Sequence, residues 1–136
     1  VERGMELANA KGAKRAIMLP MSVPSHCRLL EDAAQQLHEY LGNVVVQAPS
    51  IPVLHNADVK SYTDAASIKD ALVRQLYSPV RWVETVLEFG KYGITHNVEC
   101  APGKVLAGLN KRIDASQQAL AINDGEALKS VLGILV

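Results

Sequence analysis

The sequence predicts an α/β fold with parallel strands, and three observations lead there. Short apolar runs alternate with helix-like stretches through the second half of the chain, the pattern of strand–helix–strand units. Residues 29–41 carry their apolar side chains at helical spacing. The 136 residues are 49% hydrophobic and 21% charged, the composition of one globular domain with a real core.

The elements follow in order. Residues 1–12 read as the end of a helix closed by Gly12. Ala16-Ile17-Met18-Leu19, stopped by Pro20, suits a strand over 14–19, and Pro24 makes 21–25 extended or turning. In the next helix Leu29, Leu30, Ala33, Ala34, Leu37, Tyr40 and Leu41 share a face, with Glu31, Asp32, Gln35 and Glu39 toward solvent and Gly42-Asn43 as the stop. Residues 44–46 and 51–54 are short extended runs on either side of Pro49. Thr63 or Asp64 caps a helix reaching about Tyr77, with Ala65, Ile68, Leu72 and Leu76 along one side. Ser78-Pro79 breaks it, and a second helix turns Val83, Val86 and Leu87 inward. A strand is expected over 94–100, then a helix opening at Pro102 with Val105, Leu106, Leu109 and Ile113 on one stripe. Residues 119–122 read as the last strand and 126–135 as the last helix, after Asp124-Gly125.

Charge and cysteine usage narrow the function classes. Fourteen basic and fourteen acidic residues cancel, which argues against a general nucleic-acid binder, though a local basic patch stays open. No apolar run is long enough to span a bilayer, and no signal-peptide pattern opens the chain. Cys27 and Cys100, two isolated thiols, point to a reducing, cytoplasmic setting, with a disulfide between them as the lesser alternative. The chain opens at Val1 inside helix-like sequence, as expected of a fragment.

Four histidines are the first candidates for chemistry. His26 follows Ser22-Val23-Pro24-Ser25 at a proline-stiffened bend before a strong helix, where an imidazole can be held rigidly and still face a cleft. On pattern alone the same position more readily suits a cap or a surface residue. His38 lies on the polar flank of its helix, and His55 and His96 near strand ends, positions for solvated or hydrogen-bonded structural roles. Cys27 is the neighbour of His26, and adjacent side chains rarely meet in hydrogen-bond geometry. His96 and Cys100 sit four apart on an expected strand, about 13 Å from one another, and no second ligand pair completes a zinc site. No Gly-rich phosphate loop and no Gly-x-Ser-x-Gly elbow occurs. The chain thus offers one acid–base residue and no evident nucleophile, and by itself should be inert.

Three ordered segments carry a resemblance. Leu19-Pro20-Met21-Ser22-Val23-Pro24-Ser25-His26-Cys27 resembles the active-site histidine motif of the malonyl-coenzyme A:acyl carrier protein transacylase family. Residues 71–82, with Gln75, Pro79, Val80 and Trp82, resemble that family's stretch of glutamine, proline, valine and tryptophan. The third is Glu99-Cys100-Ala101-Pro102-Gly103-Lys104-Val105-Leu106-Ala107-Gly108-Leu109, which departs from the family's usual glycine at Ala101. The loop there must use ordinary dihedrals or accept modest strain.

The resemblance implies the C-terminal part of an α/β-hydrolase-like acyltransferase core over 20–136, preceded by the end of a ferredoxin-like small subdomain over 1–19. It implies acyl transfer from malonyl-coenzyme A to the phosphopantetheine thiol of acyl carrier protein through a seryl ester, with the serine, a malonate-binding arginine and an oxyanion glutamine upstream of Val1. His26 would be the acid–base residue, oriented by the backbone carbonyl of Gln75 rather than by a carboxylate. No cofactor beyond the two substrates is implied, and a monomer is expected. Acyl carrier proteins are strongly acidic beside their phosphopantetheine, so a basic docking surface is expected at Lys14-Arg15 or Lys111-Arg112. Val23-Pro24-Ser25, just before the histidine, are the residues expected to help set the acyl preference. Two other readings remain at this point: an acyltransferase segment of a polyketide or multifunctional fatty-acid synthase, and a non-catalytic α/β module that only binds a partner.

Overall fold

The computed structural model describes residues 1–100 and 102–135. The turn at Ala101, where the third motif departs from glycine, therefore lies outside the described residues.

The chain begins with α1 (Glu2–Ala10), which buries none of its side chains. Gly12 ends it in the left-handed region at φ 87°, donating its N–H to the Asn9 carbonyl. The strand expected over 14–19 does not form. Ile17, Met18 and Leu19 are more than half exposed, and no described residue pairs with them. Apolar sequence alone does not make a strand, whose N–H and C=O groups need a neighbour. Residues 13–27 run without regular structure to a single 3-10 turn, Arg28–Leu30.

That turn leads into α2 (Glu31–Gly42), which packs on α3 (Ala65–Tyr77). The expected wide apolar face of α2 is only half used. Ala34 and Leu41 are buried, with Leu30 and Leu37 half-buried on the same flank, while Leu29, Ala33 and Tyr40 face solvent. A single packed neighbour covers one narrow stripe, not a third of the helix circumference. Asp64 caps α3, its carboxylate accepting the Ser67 N–H at 2.8 Å, and Ala71 is fully buried midway along the helix.

Between the two helices, of the short runs expected at 44–46 and 51–54 only Leu54 lies in a strand, where a short hairpin begins. β1 (Leu54–His55) pairs antiparallel with β2 (Lys60–Ser61), His55 opposite Lys60. Residues 44–53 are irregular.

After Pro79, α4 (Trp82–Lys91) buries Thr85 and Val86 and half-buries Trp82 and Phe89. Val86 is turned inward as expected, but Val83 and Leu87 are 55% and 46% exposed. Trp82, Thr85, Val86 and Phe89 follow the i, i+3, i+4, i+7 spacing of a helix seam, and α4 turns that seam toward its packing neighbours, α5 (Val105–Ile113) among them.

The parallel pairing read from the sequence is present. β3 (His96–Glu99) and β4 (Gln118–Ala121) run parallel with His96 opposite Gln118 and Glu99 opposite Ala121, and α5 connects them. α5 starts at Val105, three residues beyond Pro102, and its buried position is Asn110 rather than the leucines of its stripe. Glu99, at the end of β3, supplies its N-terminal cap, accepting the Ala107 N–H at 2.8 Å. α6 (Gly125–Leu135) closes the fold, with Val131 buried. An apolar groove of about 580 Å³ lies beside β3, lined among others by Leu54, Trp82, Phe89, Ile94 and Leu106. No helix among the described residues is long and apolar enough to cross a membrane.

Candidate active site

Helix α3 ends with backbone carbonyls that have no acceptor role inside the helix, as every helix does over its last turn. Two of them hold His26. The ring Nδ1 lies 2.9 Å from the Gln75 carbonyl, and the His26 backbone N–H donates to the Leu76 carbonyl at 3.0 Å. A carbonyl oxygen only accepts, so Nδ1 carries a proton, and in the neutral ring Nε2 then keeps its lone pair. The ring is thereby fixed in the tautomer of a base.

The backbone bends to allow this. His26 sits at φ 60°, one of two non-glycine residues among the described residues in the left-handed region. Such a conformation persists only where the surroundings hold it, here through both bonds to α3. Ser25, His26, Leu30, Gln75 and Leu76 line a small open cleft of about 240 Å³, and the His26 side chain is exposed in it. Cys27 turns away, its thiol donating to the Pro24 carbonyl at 3.2 Å.

The other histidines take structural places. His38 is exposed on α2. His55 is buried with its ring against Tyr62, centroids 5.6 Å apart. The ring Nδ1 of His96 lies 2.9 Å from the Thr95 hydroxyl, and the Cys100 thiol points to the Val98 carbonyl. No group of three or more His, Cys, Asp or Glu side chains among the described residues is placed to hold a metal ion. Lys14 and Arg15 are exposed on the irregular stretch, and Lys111 and Arg112 are exposed in the last turn of α5. None of the four is in an ion pair among the described residues.

Sequence reasoning brought His26 and Gln75 together but missed the Leu76 carbonyl and two polar clusters. The signal for Leu76 was present, since a helix ending at Tyr77 must offer several free carbonyls. The first cluster centres on Asp58, in the hairpin between β1 and β2. Its carboxylate accepts from the Tyr62 hydroxyl at 2.7 Å, the Arg74 guanidinium at 2.8 Å and the Lys60 N–H at 3.3 Å. Partial burial pushes this carboxyl up, but the bonds from Tyr62 and Arg74 together with the guanidinium charge outweigh it and hold it below the usual carboxylate range. Hydrogen bonding to Asp58 in turn pushes the Tyr62 phenol up.

The second cluster is a relay of amides. Trp82 Nε1 donates to Asn110 Oδ1 at 2.9 Å, Asn110 Nδ2 to Asn97 Oδ1 at 2.8 Å, and Asn97 Nδ2 to Gln117 Oε1 at 2.9 Å. Gln117 Nε2 then reaches the Val86 carbonyl at 3.0 Å and Asp114 at 2.7 Å. Gly90 leaves room for that end of the relay, since a Cβ there would stand 3.3 Å from Asp114 Oδ2.

Comparison with known proteins bears on both halves of this picture. No family model matches the chain. The malonyl CoA-acyl carrier protein transacylase of Salmonella typhimurium is 50% identical over 132 residues, which is 97% of this chain and 43% of that protein. The Bacillus subtilis protein of the same name is 38% identical over 135 residues, 99% of this chain and 43% of that one. Among solved structures, an acyl-carrier-protein S-malonyltransferase from Burkholderia pseudomallei superposes with a TM-score of 0.89 at 51% identity, covering 97% of this chain and 43% of that chain. A malonyl-transacylase solved in complex with a type II polyketide synthase acyl-carrier protein superposes with a TM-score of 0.91 at 45% identity, over 98% of this chain and 43% of that chain. The chain thus spans a little under half the length of the relatives it matches, and over that length it is similar in both sequence and fold to malonyl CoA-acyl carrier protein transacylases.

Proposed function

We propose that this chain provides the histidine-bearing portion of a transacylase that moves a malonyl group from malonyl-coenzyme A to the phosphopantetheine thiol of acyl carrier protein, in the cytoplasm and in the service of fatty-acid synthesis. The observation that carries this reading is the His26 Nδ1 contact with the Gln75 carbonyl at 2.9 Å, made at an exposed cleft by an imidazole whose Nε2 is left as a base. An acyl-transfer enzyme needs such a group twice. It takes a proton from a serine hydroxyl as that oxygen attacks the thioester carbonyl, and gives it to the departing coenzyme A thiolate. It then takes a proton from the incoming phosphopantetheine thiol as the sulfur attacks the seryl ester, and returns it to the serine oxygen. A neutral carbonyl suffices to hold the ring orientation through both halves.

On this reading the serine, the oxyanion-binding groups and the malonate-binding arginine belong to the portion of the relatives' length that this chain does not span. Residues 1–19 would close a ferredoxin-like subdomain whose other strands pair with 14–19, and the apolar groove beside β3 would pack against the rest of the core. No cofactor is called for, and acyl carrier protein is the macromolecular partner. The likeness to a transacylase bound to a polyketide carrier protein keeps a polyketide-dedicated version of the same reaction as a second reading.

The test is His26→Ala in the full-length protein. Malonyl transfer should fall by about a hundredfold or more, the usual loss on removing a general base. Thermal unfolding should stay close to that of the parent, because the side chain is exposed. Near-parental turnover in the folded variant would remove His26 from the mechanism.

A further inference from the structure

Gln75 and Leu76 can orient His26 only as well as their own backbone is held. They lie at the end of α3, where a helix frays most readily. The structure places a grip on each side of them, and both grips come from the β1–β2 hairpin. On the N-terminal side, the Arg74 guanidinium donates from Nη2 to Asp58 Oδ2 at 2.8 Å and from Nε to Asp70 at 2.6 Å. On the C-terminal side, the Arg81 N–H donates to the Asn56 carbonyl at 2.9 Å, and its Nη1 reaches the Asp58 carbonyl at 3.4 Å. Residues 75–80, including both carbonyls that hold His26, are the span between the grips.

The hairpin itself is made for this geometry rather than for its own stability. It pairs only two residues a side, too few to be stable alone. Val59 within it stands at φ 59°, a left-handed conformation that is strained for a β-branched residue. Val59 and His26 are the two non-glycine residues so strained among the described residues, and they lie on the two segments that meet α3 near its end. Asp58, next to Val59, carries side-chain and backbone bonds to both grips.

We propose that this hairpin is a brace for the acid–base histidine, with Asp58 and Arg74 as positioning residues that set the His26 ring through the end of α3. The inference rests on the functional reading above, and its test separates the two. In the full-length protein, Asp58→Asn should lower kcat about tenfold with KM for malonyl-coenzyme A within about twofold, since a small displacement of a proton-transfer group costs rate rather than binding. The 15N and 1H signals of the His26 ring, recorded without substrate above pH 8, should show the Nδ1–H tautomer dominant in the parent and losing ground to Nε2–H in the variant. A purely structural role for Asp58 would lower the melting temperature and leave that tautomer ratio unchanged in the folded fraction. Arg74→Gln, which keeps the aliphatic stem, is read in the same way and carries the test if Asp58→Asn does not fold. Parental kcat and parental tautomer ratio in either folded variant overturn the brace. If His26→Ala abolishes transfer in the same preparation while these variants are unaffected, only the brace fails. If His26→Ala is active, the functional reading itself fails.

Discussion

The stretch around His26 and the relay around Asn110 solve the same problem, holding a polar side chain in place, by opposite means. His26 lies in an irregular segment, exposed, fixed by two bonds to the free carbonyls of one helix end. Asn110 and Gln117 are 5% and 4% exposed, and their amides join α4, β3, α5 and the loop before β4 into one chain of side-chain bonds. A group that must meet substrate has to stay accessible, so its position is borrowed from backbone that would otherwise face water. A group that only has to hold a frame can be buried, where each bond is stronger and each loss dearer. The two regions should therefore fail differently. Damage near His26 should cost chemistry and little stability, and damage to the relay should cost stability and little chemistry.

Asn110→Ala is the hardest blow to that division. It strips partners from Trp82 Nε1 and from Asn97 Oδ1 at once, at about 1–3 kcal/mol for each group left unsatisfied, so a loss of about 2–6 kcal/mol is expected. Urea unfolding reads the loss, and turnover per folded molecule should stay within about twofold of the parent, because the residue is placed away from the His26 cleft. A variant of parental stability with impaired turnover would show that the relay reaches the site after all.

A smaller effect is expected from acid, because it acts on both regions. The Asp64 carboxyl is lowered chiefly by the Ser67 N–H it caps, and that of Asp114 chiefly by the Ser116 hydroxyl, with Gln117 next. Asp58 is also lowered, its bonds to Tyr62 and Arg74 overcoming the opposing effect of burial. A carboxyl depressed in the folded state binds protons more weakly there than in the unfolded chain. Its contribution is whole above the unfolded value of about 3.9 and is lost as pH falls through the lower folded one. Melting temperature should therefore drop below about pH 4. Asp58→Asn, Asp64→Ala and Asp114→Asn should each be less stable than the parent at neutral pH and lose less on acidification. An acid limb of unchanged steepness in all three would place the titrating groups elsewhere.

The same contrast explains what could be read from the sequence. The helices that end in local signals were legible: Asp64 before α3, Gly12 after α1, and the parallel strands on either side of α5. So was the meeting of His26 with Gln75, though only through the family resemblance, since nothing in spacing joins residues 49 apart. What failed depended on partners distant in the chain. Residues 14–19 look like a strand but have no described neighbour to pair with. Val83 and Leu87 look like core, yet α4 turns Trp82, Thr85, Val86 and Phe89 inward instead. Asn110 was passed over because an amide on an apolar stripe gives no hint of the two side chains, Trp82 and Asn97, that complete it. The same holds for Asp58, an unremarked turn residue until Arg74 arrives from 16 positions away.

The smallest expected effect concerns charge, and it sets the two regions against each other once more. Lys14 and Arg15 belong to the irregular segment that leads to His26, whereas Lys111 and Arg112 stand on α5, the helix held by the relay. An acidic carrier protein steered toward the cleft would profit from cations at its rim without burying them. Two cations in the last turn of a helix also have an ordinary use, since they complement the negative end of its dipole. The two roles separate on reversal. If Lys111 and Arg112 serve docking, Lys111→Glu with Arg112→Glu should raise KM for acyl carrier protein several-fold, about 1 kcal/mol or less. The rise should shrink with salt as screening sets in over about 10 Å at 0.1 M. The half-reaction with malonyl-coenzyme A should be spared. If they serve only the helix, the double reversal should lower the melting temperature and leave that KM alone. The matching reversal of Lys14 and Arg15 decides which region meets the partner. A larger rise from that pair would place docking on the irregular segment beside the histidine, and a larger rise from Lys111 and Arg112 would place it on the frame held by the relay.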